Sequence, residues 1–220
     1  MITSIAASAT ESARGFDVDV PLTQADATAY RANGFDFCIR YVGRDAGDQG
    51  ERELSGPEAQ SIFAGGLALM VVQHPLDAGT PPTANLGTQY GQTGASYARD
   101  AGIPDLVNLW LDLEGLADNV SADAVVAYCN AWFAAVEKAG YTPGLYVGAG
   151  CGLDAHDLYY RLTTTHYWQS LSGSAPDVAV RGYQLKQSSS PQILPDQPID
   201  LDIAMADALG GTAIWAQPAA

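Results

Sequence analysis

The chain has 220 residues, 47% hydrophobic and 16% charged, and its 10 basic and 25 acidic side chains give a formal charge of −15. This length and apolar content exclude a disordered chain and suffice for a sizeable core, and there is no run of eighteen apolar residues to cross a membrane. The net negative charge repels duplex nucleic acid and anionic membrane surfaces, so neither is expected as a partner.

Met1 to Ala13 carries neither a basic start nor an apolar stretch. It therefore does not read as a secretory signal, and the expectation is a cytoplasmic protein or one exported by a signal-independent route. The first strand is expected at Arg14 to Val20, followed by a helix over Leu22 to Asn33 with Thr23 as its cap and Gly34 closing it. Phe35 to Val42 reads as the second strand. Ser55-Gly-Pro-Glu58 has the form of a capping box, and its helix ends at Gly65-Gly66. Leu67 to Gln73 is a continuous apolar run of the kind covered on both faces in a parallel sheet. Ala84 to Gly102 is a weaker helix, because Gly87, Gly91 and Gly94 each cost about 1 kcal/mol against Ala.

Val107 to Leu113 is the clearest strand and Ser121 to Lys138 the clearest helix, with apolar residues at helical spacing from Val125 to Val136. Thr142 to Gly148 is a fifth strand and Leu153 to Arg161 a short helix. Three more strands follow, at His166 to Leu171, Ala179 to Gln187 and Ile199 to Ala204, with helix-free loops over 172–178 and 188–198. Five β/α units followed by three strands point to an α/β fold, a TIM-like barrel with reduced helices. One barrel domain over 13–211 is expected, between a flexible N-terminus, 1–12, and a C-terminal tail, 212–220.

The chemistry lies in acids set within apolar strands: Asp17 and Asp19 in the first, Asp112 and Glu114 in the fourth, Asp200 and Asp202 in the eighth. Each i, i+2 pair projects from one strand face, and an isolated buried carboxylate is costly unless partnered. A single Asp is explained by a helix cap or by a pair with Arg40, Arg44 or Arg181. Three pairs in three strands call for a common site at a barrel mouth. Crowded carboxyls raise one another's pKa and yield a proton donor beside an ionised partner, as glycoside hydrolysis requires. They also suit Ca²⁺ or Mg²⁺.

The pieces Gly15-Phe-Asp-Val-Asp19, Phe35 to Tyr41, Leu111-Asp-Leu-Glu114, Tyr141 to Tyr146, Tyr167-Trp168, Tyr183-Gln184 and Ile199 to Asp202 form an ordered set along the chain. On these pieces the chain resembles family 25 of the glycoside hydrolases, the Chalaropsis-type lysozymes. It is still more similar to the glycoside-hydrolase-like family known as domain of unknown function 1906. The resemblance implies a muramidase-type cleavage of the β-1,4-linked N-acetylated glycan of peptidoglycan. In it Glu114 is the general acid and Asp112 steadies the substrate acetamido group, while Asp17 and Asp200 complete an acidic floor. Tyr41, Gln73, Tyr146, Trp168 and Gln184 would line a sugar groove. Asp19 and Asp202 stand there too, where the lysozymes have Ser and Asn. No cofactor and no metal ligand are expected, and the extra charge of Asp19 and Asp202 leaves a cation or a different glycan as an alternative. Two alternatives stay open: a glycan-binding module without turnover, and a cargo or accessory subunit of a secretion or phage-tail-like apparatus.

Other chemistries lack their residues. His74, His156 and His166 have no zinc-hydrolase spacing, and no G-x-S-x-G elbow occurs. Gly148-Ala-Gly-Cys-Gly152 departs from both phosphate-loop patterns and reads as a turn. Ser121 of Asn119-Val-Ser121 reads as a helix cap rather than part of a glycosylation acceptor. Cys38, Cys129 and Cys151 form no C-x-x-C pair, and Cys38 and Cys129 are expected in the core.

Overall fold

The computed structural model describes residues 2–45, 47–188 and 198–219. Eight strands close a barrel: β2 (Arg14–Val18), β3 (Phe37–Val42), β4 (Ala68–Gln73), β5 (Asn108–Leu113), β6 (Thr142–Val147), β7 (Tyr167–Gln169), β8 (Leu185–Ser188) and β9 (Asp200–Ala204). Each strand from β2 to β7 pairs in parallel with the next, and β9 lies between β8 and β2, completing the ring. The helices α1 (Gln24–Ala32), α2 (Gly56–Ala64), α3 (Ala84–Asp100), α4 (Ala122–Lys138) and α5 (Ala155–Tyr160) follow the first five barrel strands in turn. The barrel with five β/α units and a helix-poor last third is thus as the sequence indicates. Residues 189–197, most of the loop read over 188–198, lie outside the described residues.

Local signals act as expected at most helix starts. Thr23 and Asp26 form a reciprocal capping box on α1. Ser55 caps α2 by accepting from the Glu58 N–H, but the Glu58 carboxylate does not return the bond. It turns to Arg40 Nε at 2.6 Å and the Leu22 N–H at 2.9 Å, so the box is half built. Ser121 caps α4, and all three cysteines are free and buried. The glycines of α3 are contact residues. A Cβ on Gly87 would lie 2.2 Å from the Tyr128 carbonyl oxygen and one on Gly91 2.7 Å from that of Trp132. Only glycine lets α3 approach the α4 backbone this closely.

Three features differ from the sequence reading. β9 runs antiparallel to both neighbours, pairing Asp17 with Asp200 and Arg14 with Ile203. The strand expected over Ala179 to Gln187 is only β8, because Ala179 to Gly182 form a turn with Val180 at φ 63°. The chain ends are not flexible tails. β1 (Ser4–Ser8) pairs antiparallel with β10 (Ile214–Pro218), and β10 docks on β4 at Ala216–Leu69. Backbone pairing and the packing of Trp215 on Phe37, ring centroids 5.6 Å apart, hold this flap against the start of β4.

Candidate active site

The barrel register decides which side chains meet. β5 carries Asp112 on the same face as Trp110, and Glu114 follows just past its end. β2 brings Asp17, and the reversed β9 brings Asp200 opposite it, with Asp202 one step deeper. Asp200 therefore reaches the mouth from the start of its strand, not from a C-terminal end. Together with Asp19, Tyr41, His74, Pro75 and Ile199, the acids Asp17, Asp112, Glu114 and Asp200 line a cleft of about 320 Å³. Gly148 makes room for the general-acid candidate: a Cβ there would lie 2.6 Å from Glu114 Oε2.

These carboxyls are short of compensation. Burial, opposed by the Gln187 and Tyr41 hydrogen bonds and reinforced by the charge of Asp200, pushes the Asp17 carboxyl up to about 7. Burial first, then the charges of Glu114 and Asp17, hold Asp112 well above the usual carboxylate range. Burial also raises Glu114 and Asp200. Burial first, then the charge of Asp17, likewise holds Asp202 well above the usual carboxylate range. Asp112 Oδ1 and Asp202 Oδ2 are buried with no hydrogen-bond partner among the described residues. The nearby arginines are engaged elsewhere. Arg40 is spent on Glu58 and on the Val18 and Arg52 carbonyls, Arg44 on Asp48 and Asp77, and Arg52 on Asp19 at the rim.

The structure brings together Asp17, Asp112, Glu114, Asp200, Asp202, Tyr41 and Tyr146, and it sets Asp19 half-exposed at the edge. Tyr41 donates its hydroxyl to Asp17 Oδ1 at 3.3 Å and stacks on His74, centroids 4.8 Å apart. Three expected groove residues do not join. Gln73 faces outward, bonding the Gly43 and Tyr90 carbonyls and accepting from Trp132 Nε1 at 2.6 Å. Gln184 is buried beside the start of β8, bound to the Tyr167 N–H, the Thr165 carbonyl and Asp207. Trp168 lies beneath the floor at 1% exposure, with its indole N–H on Asp202 Oδ1 at 2.8 Å and its ring against Tyr146 and Trp110. It offers no face to a ligand.

Two residues were missed. His74 follows Gln73 and has the opposite parity, which turns it into the cleft, where burial lowers its pKa. Gln187 shares the inward parity of Leu185 and bonds Asp17 Oδ2 at 2.7 Å. The strand alternation carries both signals. Among the described residues the one tight cluster of possible metal ligands is Asp154, His156 and Asp157, away from the cleft on α5. There Asp154 caps the helix and Asp157 pairs with Arg161.

Comparison with known proteins fits this architecture. No curated protein matches the sequence. The fold is similar to that of the Tat-secreted protein Rv2525c of Mycobacterium tuberculosis, solved with L-tartrate, at 18% identity and a TM-score of 0.67 over 89% of this chain and 96% of that one. It is similar to the bacterial lysozyme of Streptomyces coelicolor, at 13% identity and a TM-score of 0.62 over 93% and 95% of the two chains. A family 25 glycosyl hydrolase from Bacillus anthracis matches at 12% identity and a TM-score of 0.61 over 88% and 89%. At these identities the likeness is one of fold. The model of the Rv2525c-like, glycoside hydrolase-like domain matches residues 28–197, well over half of the chain, and leaves Asp17, Asp200 and Asp202 outside the match. With a closed barrel, reduced helices and an acidic mouth, the chain belongs to the Rv2525c-like, glycoside hydrolase-like domain family.

Proposed function

We propose that the protein is a glycosidase of muramidase type, cleaving a β-1,4-linked, N-acetylated glycan of the peptidoglycan kind. The observation that carries this reading is the convergence of Asp17, Asp112, Glu114 and Asp200 in one cleft with no free cation beside them among the described residues. The lysozyme and muramidase identities of several proteins with this fold support a glycan as substrate.

Glu114 is the general acid. It is only half-buried, so it reaches the leaving oxygen, and burial raises its pKa toward a protonated state. Asp112 receives the acetamido N–H. Its Oδ1 has no donor among the described residues, and burial favours the neutral carboxyl. A substrate amide donating there favours the Asp112 carboxylate and leaves the proton of the Asp112–Glu114 pair on Glu114. The Glu114 proton then goes to the glycosidic oxygen as that C–O bond breaks. The acetamido oxygen bonds the anomeric carbon, and Asp112 balances the positive charge on the ring so formed. Water, deprotonated by Glu114, opens this ring. Asp17 and Asp200 hold sugar hydroxyls, and the charge of Asp17 acts on Asp112.

Zymography on cell-wall material tests this with Glu114→Gln, which should lose about 10²- to 10⁴-fold in clearing. Equal clearing by both proteins would remove Glu114 from the mechanism. Clearing by neither, with oligosaccharide affinity retained, would make the cleft a binding site without turnover.

A further inference from the structure

Gln187 stands directly opposite Asp202 in the β8–β9 ladder, and its side chain reaches across to Asp17 on β2. Its Oε1 accepts from the Tyr146 hydroxyl at 3.0 Å and from the Leu171 N–H at 3.0 Å. A backbone N–H can only donate, so the amide cannot be turned over, and Nε2 must be the atom 2.7 Å from Asp17 Oδ2. Asp17 thus receives two donors, Gln187 and Tyr41. Its neighbour Asp202 receives one from a neutral side chain, Trp168 on Oδ1, and its carboxyl meets that of Asp17.

We propose that Gln187 is a positioning residue which decides the proton order in the Asp17–Asp202 pair, making Asp17 the acceptor that ionises first and leaving the shared proton on Asp202. The proposal deepens the glycosidase reading and rests on it for its catalytic meaning, because the charge on Asp17 acts on Asp112. Among the described residues, Tyr41 on β3, Asp112 on β5, Tyr146 on β6, and Asp200 and Asp202 on β9 are the titratable groups that act on Asp17 or feel its charge. All are acids or phenols. Hydrogen-bond donors are then the means of favouring ionisation of one carboxyl over the other, and Gln187 supplies the shortest to Asp17.

Carboxyl ¹³C NMR titration of the free protein tests this, with Asp17 and Asp202 signals identified through Asp17→Asn and Asp202→Asn. In wild type Asp17 titrates below Asp202. In Gln187→Leu the Asp17 midpoint should rise by about one to two pH units, the worth of one hydrogen bond to a charged group. Tyr146→Phe frees one side of the amide and should shift Asp17 the same way by less, and it decides the matter if Gln187→Leu does not fold. An unmoved Asp17 midpoint in a folded variant, or Asp202 ionising first in wild type, would overturn the proposal. If the midpoint moves while no form of the protein clears glycan, the Gln187 role stands and the glycosidase reading fails.

Discussion

Replacing Asp17 by Asn should flatten the dependence of stability on pH. The Asp17 carboxyl titrates at about 7 in the folded chain against 3.8 for an ordinary aspartate, with burial as the largest cause. A raised carboxyl binds its proton more tightly when folded. Its stabilisation is complete below the unfolded value near pH 4, falls as pH rises through about 7, and is flat above. A shift of roughly three units corresponds to up to about 4 kcal/mol lost across that window. Asp112 and Asp202 act in the same direction, so wild type should be more stable at pH 5 than at pH 8. Urea unfolding at stepped pH, followed by the fluorescence of the four buried tryptophans, measures this directly. Asp17→Asn should lose about 2–4 kcal/mol less than wild type over the same interval, at unchanged m-value. Parallel curves for the two proteins would refute the burial of an uncompensated acid at this position.

Two packing predictions accompany it. Gly87→Ala should lower the melting temperature despite the better helix propensity of Ala, because the new methyl meets the Tyr128 carbonyl oxygen at 2.2 Å; we expect a cost of about 1–3 kcal/mol, and a rise in melting temperature would contradict the close α3–α4 contact. Arg40→Met leaves Glu58 buried with its charge unpaired and should cost about 3–5 kcal/mol. Calorimetry on Arg40→Met/Glu58→Gln should recover part of that loss, and a double variant no better than the single would show that the pair is not the cause.

Much of the barrel is legible because strands buried on two faces leave continuous apolar runs, as in Leu67 to Gln73 and Val107 to Leu113. The direction of β9 is not, since parallel and antiparallel strands share the same alternation of faces. The β1–β10 flap escapes for another reason. Ser-Ile-Ala-Ala-Ser has little hydrophobic signature, and its partner lies at the far end of the chain. The acids of the site stand out because carboxylates interrupt apolar strands. The amides do not. Gln184 beside Tyr183 looks like the groove residue, yet inward Leu185 fixes a parity that selects Gln187 instead. Trp168 looks like a stacking platform, but its single donor is turned inward to hold Asp202.

The flap also bears on how the protein can be handled. Ser4 faces Pro218 across β1 and β10, and β10 meets β4 at Leu69, near the strand start and remote from the end that opens on His74. A short peptide joining the two termini would turn the chain into a circle. That circle could be reopened at a surface turn such as the one at Gly79, where a Cβ meets nothing within 4 Å. Purification handles or immobilising tethers fixed at either terminus would likewise leave the acidic bowl facing free solution.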